Sequence, residues 1–588
     1  MADPQFGVAD YIVLAAIMIV SSLIGLFYRF TGGQQKTSSE YLLADGNMSV
    51  LPVAFSLMAS FMSAITLLGV TQENYSYGTQ FVCINLAYVL STPVAAYIFL
   101  PVFYNLKSPS VYKYLEDRFG KIARITASLA FSVQMFLYMG IVLYAPSLAL
   151  SAVTGLSFEG SVIGVGLVCT FYSTVGGMKA VLMTDLFQSL LMFSAVLTVI
   201  FSTCLKHSVL EVWETAVDRD RIQFLEISPD PTVRHTVWTQ VFGGCFVYCS
   251  LYAVNQAQVQ RLMTLPTLAQ AQAALWIQVP ILMCLSLLTS FAGLCIFFTY
   301  KDCDPFLEGR IQKSDQLFPI FILDQLAQIP GLAGLAVGGI FSGSLSTVSS
   351  AINSLAAVTL EDYIKPCCTV PENRSTLVLK GLALGYGLAC IGLAFLADLL
   401  GTGVLQASLT IFGVVGGPLL GLFALGMLTR ISGQAGAVTG LLTGLIFVSW
   451  IGFGGPKPPV PKLSLSISNC SNPDSDLMWN SSTWSSTATL NPTWRPTNSN
   501  STELNPETEY FYLYRISYAW YSMIGFLITV GVGLLVSVLY SKISGFEPEL
   551  VEDNLLSHLT NRSSNKSYRV HEAFGDTEKP EKIQECKL

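Results

Sequence analysis

The chain has 588 residues, of which 52% are hydrophobic and only 12% charged, and its formal net charge is −7. A soluble domain carries about 25% charged residues, so this chain cannot cover a water-facing surface, and its mean hydropathy of +0.55 makes lipid its main solvent. The negative balance and the lack of any basic cluster exclude a nucleic-acid partner. No H-E-x-x-H, G-x-S-x-G or paired acidic metal motif lies in an apolar run, so nothing points to an enzyme.

Apolar runs near the roughly 20 residues that cross a bilayer recur along the chain. They fall at about 7–28, 49–72, 81–103, 125–152, 160–176, 183–204, 236–257, 272–299, 330–360, 377–399, 402–429, 433–454 and 512–541. The first run outlasts a signal-peptide core, and residues 1–8 carry no Lys or Arg, so it reads as a span. The predicted fold class is an all-α polytopic membrane protein of about 13 transmembrane helices. An odd number places the two termini on opposite sides.

Loop 104–124 holds Lys107, Lys113, Arg118, Lys121 and Arg124, and loop 29–48 holds Arg29 and Lys36, whereas 73–80 and 153–159 hold no Lys or Arg. The positive-inside rule therefore puts the N-terminus outside and the C-terminus inside. Loop 455–511, rich in Ser, Thr, Asn and Pro, falls outside and contains three glycosylation acceptors, Asn469, Asn480 and Asn500. Most of the 13 cysteines lie in apolar runs, with no metal-site spacing. Cys303 and Cys470 stand in long polar loops and can form one disulfide where both loops are extracellular. Residues 542–588 read as a cytoplasmic tail.

Two runs break the pattern of a simple anchor. The second reads Ala59-Ser-Phe-Met62-Ser63-Ala-Ile-Thr66-Leu-Leu-Gly69, small and hydroxylic at its middle, and the ninth reads Ser342-Gly343-Ser-Leu-Ser346-Thr347-Val-Ser-Ser350. Small residues let helices approach closely in lipid, and packing is one reading of both. The other is a cation site. A bare Na⁺ needs several oxygens, an unwound helix frees carbonyls for it, and irregular backbone at membrane depth is tolerated where it lines a cavity. Asp185, near the start of the sixth run, is either part of such a site or an interfacial carboxylate paired with Lys179. No Lys or Arg lies deep in runs two, four, seven, nine or eleven, so an anionic solute would be held by helix N-termini, hydroxyls and co-bound Na⁺. Further interruptions are Asn255-Gln-Ala-Gln-Val-Gln260-Arg261 at the end of the seventh run, Gln406-Ala-Ser408-Leu-Thr410 in the eleventh, and Tyr138 and Tyr144, six apart on the fourth.

These residues carry a resemblance. Ala59-Ser-Phe-Met-Ser-Ala64, Phe99-Leu-Pro-Val-Phe-Tyr104, Tyr144-Ala-Pro146, Gly176-Gly-Met-Lys-Ala180, Val254-Asn-Gln256, Ser344-Leu-Ser-Thr347 and Gly416-Gly-Pro-Leu-Leu-Gly421 occur in order as in the solute:sodium symporter family. The similarity runs over residues 6–541, within the branch of the monocarboxylate, multivitamin and iodide symporters. It implies a LeuT-like core of two inverted five-helix repeats with discontinuous helices. The corresponding divisions are 1–48 for the first helix and a cytoplasmic loop, 49–204 and 236–430 for the repeats, 431–541 for peripheral helices, and 542–588 for the tail.

By the family's pattern the sodium site falls on the carbonyls of Ala59, Met62 and Gly343, the hydroxyls of Ser346 and Thr347, and a supporting Asp185. Substrate or a second sodium falls near Ser63, Thr66, Tyr144, Asn255 and Ser408. The function implied is sodium-coupled import of a small organic carboxylate across the plasma membrane, with Na⁺ as coupling ion and no organic cofactor. Monocarboxylates such as lactate and nicotinate, and vitamins such as biotin, pantothenate and lipoate, fit that class. The iodide symporters carry Gln where this chain has Thr66, which argues against an iodide carrier. Thr66 and Asp302-Cys-Asp-Pro305 resemble the monocarboxylate members, whereas Tyr41-Leu-Leu-Ala-Asp45 and Gly381-Leu-Ala-Leu-Gly-Tyr-Gly387 resemble the multivitamin transporter. An iodide-type symporter and an anion channel are the alternatives.

Overall fold

The computed structural model describes residues 6–31, 37–106, 108–368, 370–397, 403–468, 470, 510–544 and 551–560. Asn469, Asn480, Asn500 and the tail from 561 onward lie outside the described residues. All regular structure among them is helical. The helices that matter here are α1 (Val8–Phe30), α2 (Val50–Phe61), α3 (Ala64–Tyr77), α4 (Thr79–Leu106), α5 (Lys121–Thr154) and α6 (Phe158–Cys204). They continue with α7 (Gly244–Tyr252), α8 (Gln256–Leu262), α9 (Leu268–Tyr300), α10 (Leu332–Ile364), α11 (Glu372–Ala394), α12 (Val404–Leu428), α13 (Gln434–Phe453) and α14 (Tyr518–Ile543).

Ten of these are long and apolar enough to cross a membrane singly, and the other apolar runs differ from it for a local reason. α6 has 47 residues, about 70 Å at 1.5 Å per residue, more than twice the roughly 30 Å hydrocarbon thickness. It is not one straight rod. Gly177 interrupts it at φ 63°, in the left-handed region that glycine adopts without strain, between the fifth and sixth predicted runs. The second run is two short helices, α2 and α3, and the seventh is α7 and α8. Asn255–Arg261 is expected to end the seventh run. Instead Asn255, with extended backbone, caps a new helix by accepting from the Ala257 N–H at 2.9 Å. The chain thus holds two broken helices, α2–α3 and α7–α8, among the described residues.

Burial ranks the helices. In the apolar window of α10 94% of residues are buried, against 17% in α1 and 28% in α11 and α14. Leu23 and Phe27 of α1 are more than half exposed, as expected of a helix with an apolar face toward lipid. α10 is enclosed by protein on all sides, so its polar residues must find partners within the fold.

The two ends of the helices are distinct. On one face Cys303 and Cys470 form a disulfide. The start of loop 455–511 is a fixed strap there: the Leu463 N–H donates to Ser76 O and the Asp304 N–H to Ser466 O, both at 2.9 Å. Asp10 of α1 lies at this face, accepting from the Gly334 N–H at 2.9 Å and so capping α10. On the opposite face residues 551–560 pack over the end of α12. The Ser557 N–H donates to Met427 O at 2.9 Å, and Tyr114 donates to Leu555 O at 3.0 Å. The chain thus begins at one face and leaves its last helix at the other.

Candidate functional site

Between α2 and α3 the helical hydrogen-bond ladder stops. In a continuous helix the amides of residues 63 and 66 would donate to the carbonyls of Ala59 and Met62. Here the Ser63 N–H donates to Phe61 O at 3.1 Å and the Thr66 N–H to Ser63 O at 2.9 Å. Met62 leaves the helical region (φ −79°, ψ 84°) and Ser63 is extended, its Oγ accepting from the Ile65 N–H. The carbonyls of Ala59 and Met62 thereby lose their helical donors.

α10 crosses this break, and Gly343 sets the approach. A Cβ there would lie 2.7 Å from the Ala64 nitrogen and 3.0 Å from the Ser63 carbonyl carbon, both backbone atoms that cannot swing aside. Gly343→Ala is expected to push the helices apart and destabilise the protein by about 1–3 kcal/mol, read as a lower melting temperature of the purified protein. One turn on, Thr347 Oγ1 reaches across to Ser60 O at 3.5 Å while donating to Gly343 O at 2.9 Å. Ser346 Oγ donates to Asp185 Oδ1 at 2.7 Å.

Asp185 is fully buried, and it is not an interfacial partner of Lys179, whose side chain is exposed beside the Tyr28 ring. Its partners are Ser56, donating to Oδ2 at 2.5 Å, and Arg261 of α8, whose Nη2 lies 3.5 Å from Oδ2. Arg261 is itself fully buried and holds Ser56 Oγ at 2.8 Å, Ala257 O at 2.7 Å and Ser350 Oγ. One ion pair with its hydroxyls joins the first broken helix, the second broken helix, α6 and α10. A carboxylate accepts only, so Ser346 gives Asp185 its proton and keeps its oxygen lone pairs for another group. Freed carbonyls beside hydroxyls oriented in this way are neutral oxygen donors suited to a small hard cation.

A central cavity of about 60 Å³ adjoins the break, and Ser63, Thr66 and Ser408 line it together with Tyr138, Gln258 and Phe412. Among the described residues no Lys, Arg, Asp or Glu is in its wall. Two expected residues lie elsewhere. Tyr144 faces a separate cavity of about 270 Å³ at the disulfide-bearing face, where its hydroxyl accepts from Lys313 Nζ at 2.6 Å. Asn255 is the α8 cap and is absent from the central wall. Tyr138 and Tyr88, not Tyr144, line the central cavity, and the Tyr138 hydroxyl lies 3.5 Å from Ser63 Oγ with its ring edge-on to Phe412 at 4.5 Å. Sequence reasoning also left Arg261 without a role. The signal was its place in a run of glutamines beside an apolar segment, which marks a buried charge but not its partner.

Residues 41–444 match the model of the sodium:solute symporter family. A Drosophila melanogaster protein named "Putative sodium-dependent multivitamin transporter" is 55% identical over 91% of this chain and 87% of its own length. Sodium-coupled monocarboxylate transporter 1 of Xenopus laevis is 42% identical over 91% of this chain and 86% of its own. Among solved structures, a Na⁺-coupled sialic acid symporter in a substrate-bound outward-open state superposes with a TM-score of 0.73 at 20% identity, covering 93% of this chain and all of that one. At that identity the likeness speaks for the fold.

Proposed function

Since the chain belongs to the sodium:solute symporter family, we propose that it imports a small organic carboxylate anion with Na⁺ across the plasma membrane. The observation that carries this reading is the break between α2 and α3, opposed by the hydroxyls of α10. In this reading Na⁺ takes the carbonyls of Ala59, Met62 and Gly343 and the hydroxyls of Ser346 and Thr347, with Asp185 orienting Ser346. The anion takes the central cavity lined by Ser63, Thr66 and Ser408. Tyr144 and Asn255 act from outside that cavity, Tyr144 in the entry cavity and Asn255 as the cap that fixes the second break.

Charge placement supports the direction. The Cys303–Cys470 bond suits an oxidising exterior, and the Lys- and Arg-rich loop 104–124 suits the cytoplasm. The N-terminus is then extracellular, the tail cytoplasmic, and the chain crosses thirteen times. Binding of Na⁺ ties the first broken helix to α10 and completes the anion site, and the core then reopens to the other side. A potential of 100 mV adds about 2.3 kcal/mol per net charge moved, which concentrates an anion when sodium exceeds it in stoichiometry. The relatives named for multivitamins and for monocarboxylates share one chemical class of cargo, the carboxylate.

The test is uptake by expressing cells of labelled biotin, pantothenate, lactate, nicotinate and iodide, side by side, with and without a sodium gradient. Saturable, sodium-requiring uptake of at least one carboxylate is the expected result. Uptake of iodide alone would make this an inorganic-anion symporter, and substrate-free current at open-channel rates would make it a channel.

A further inference from the structure

Three hydroxyls in the wall of the central cavity already donate their protons. The Ser60 hydroxyl donates to Ser56 O at 2.8 Å, the Ser408 hydroxyl to Leu405 O at 2.9 Å, and the Tyr138 hydroxyl to Ser63 Oγ. Gln258 differs. It is the third residue of α8, three past the Asn255 cap, and is 4% exposed. Its backbone N–H is used, donating to Asn255 O at 3.2 Å, but its side-chain amide makes no hydrogen bond among the described residues, and Oε1 is fully buried without a partner. A buried amide oxygen left without a partner forgoes the hydrogen bonds it had in water. Its glutamine neighbours carry no such penalty. Gln256 bonds the Val111 N–H, Pro109 O and Gln260, and Gln260 bonds Leu42 O at 2.9 Å.

The chemistry of the cavity indicates what the amide is kept for. No cation is in the wall, so an anion there must be held by N–H and O–H donors. A primary amide is the only group lining it that offers two N–H donors from one planar head, and a carboxylate offers two coplanar acceptors. A half-turn about the Cγ–Cδ bond exchanges the NH₂ and Oε1 positions, so the orphaned position can be taken by either end. We propose that Gln258 recognises the carboxylate of the transported solute, donating its amide N–H groups to the anion in the central cavity. The assignment rests on the symport reading above and names the group that selects a carboxylic acid over its uncharged amide.

Gln258→Glu tests it in the full-length protein, because it keeps the shape and replaces the donor by a negative charge. Uptake of labelled biotin, lactate and nicotinate is measured, with biotinamide, lactamide and nicotinamide as competitors and with surface labelling to normalise. In the unmutated protein the acids should be carried and the amides should compete poorly. In Gln258→Glu the KM for the carboxylate should rise at least tenfold, with half-saturation by sodium within twofold, and the matching amide should become the better competitor. Gln258→Met, which has similar length and no charge, should give the same loss of carboxylate affinity without the gain for amides. An unchanged KM in both variants overturns the assignment. So does a changed sodium half-saturation with unchanged carboxylate KM, which would make Oε1 a cation ligand. Absence of sodium-driven carboxylate uptake in the unmutated protein overturns the functional reading and this assignment together.

Discussion

Arg261→Met is expected to destabilise the protein by about 3–5 kcal/mol, the cost of leaving one member of a buried ion pair without the other, and to remove most of it from the cell surface. Folded proteins are stable by only about 5–15 kcal/mol, so a loss of that size is decisive. The guanidinium contacts Asp185, Ser56, Ser350 and Ala257 O, and without it the Asp185 charge keeps only the Ser56 and Ser346 hydroxyls. Asp185→Asn combined with Arg261→Gln removes both charges and should recover much of the stability. It should not recover the sodium affinity. Asn presents an N–H₂ group as well as an oxygen, and where that group faces Ser346 it consumes the lone pair that the carboxylate leaves available. Thermal melting of purified variants, paired with sodium titration of uptake, separates the two effects. An Arg261→Met protein as stable as the parent would mean that the pair is not the lock between the two broken helices.

How far these arrangements were legible depended on range. The break between α2 and α3, and its partner Ser346-Thr347, could be read because the anomaly is compositional: hydroxyl and glycine residues crowd where a lipid-facing helix needs none. Gly343 belongs to the same cluster, although its reason for being glycine, contact with the Ser63–Ala64 backbone, is a fact of packing. Asp185 stood out because an acid in an apolar run is rare, but its partner did not, since Arg261 lies 76 residues away on another element. Lys179 is nearer in sequence, so that pairing stayed open beside the buried one. Tyr138 and Tyr144 show the same limit on a smaller scale. Six residues along a helix turn the side chain by about 240° and advance it about 9 Å, so the two face different cavities, and only neighbouring helices decide which is central. The break at Asn255 was read as a helix end because a capping residue looks the same whether it closes a span or restarts one.

Ser346→Ala with Thr347→Ala is expected to raise the sodium concentration for half-maximal uptake roughly 10- to 100-fold, about 1.4–2.8 kcal/mol at 1.4 kcal/mol per decade. The fold should survive. Alanine is the best helix former, both positions are interior to a helix enclosed by protein, and the Asp185–Arg261 pair with Ser56 does not depend on them. What is lost is oxygen: one hydroxyl whose proton is committed to Asp185, and one that bridges Gly343 O and Ser60 O across the break. On the proposed sodium site, the maximal rate at saturating sodium should stay within a few-fold of the parent, and the carboxylate KM measured there should change little. Thr347→Ser supplies the control, since it keeps the hydroxyl and removes only a methyl, and should stay close to the parent. Unchanged sodium dependence in the double alanine variant, with the protein at the surface, would place the coupling ion elsewhere and reduce the broken helix to a packing feature.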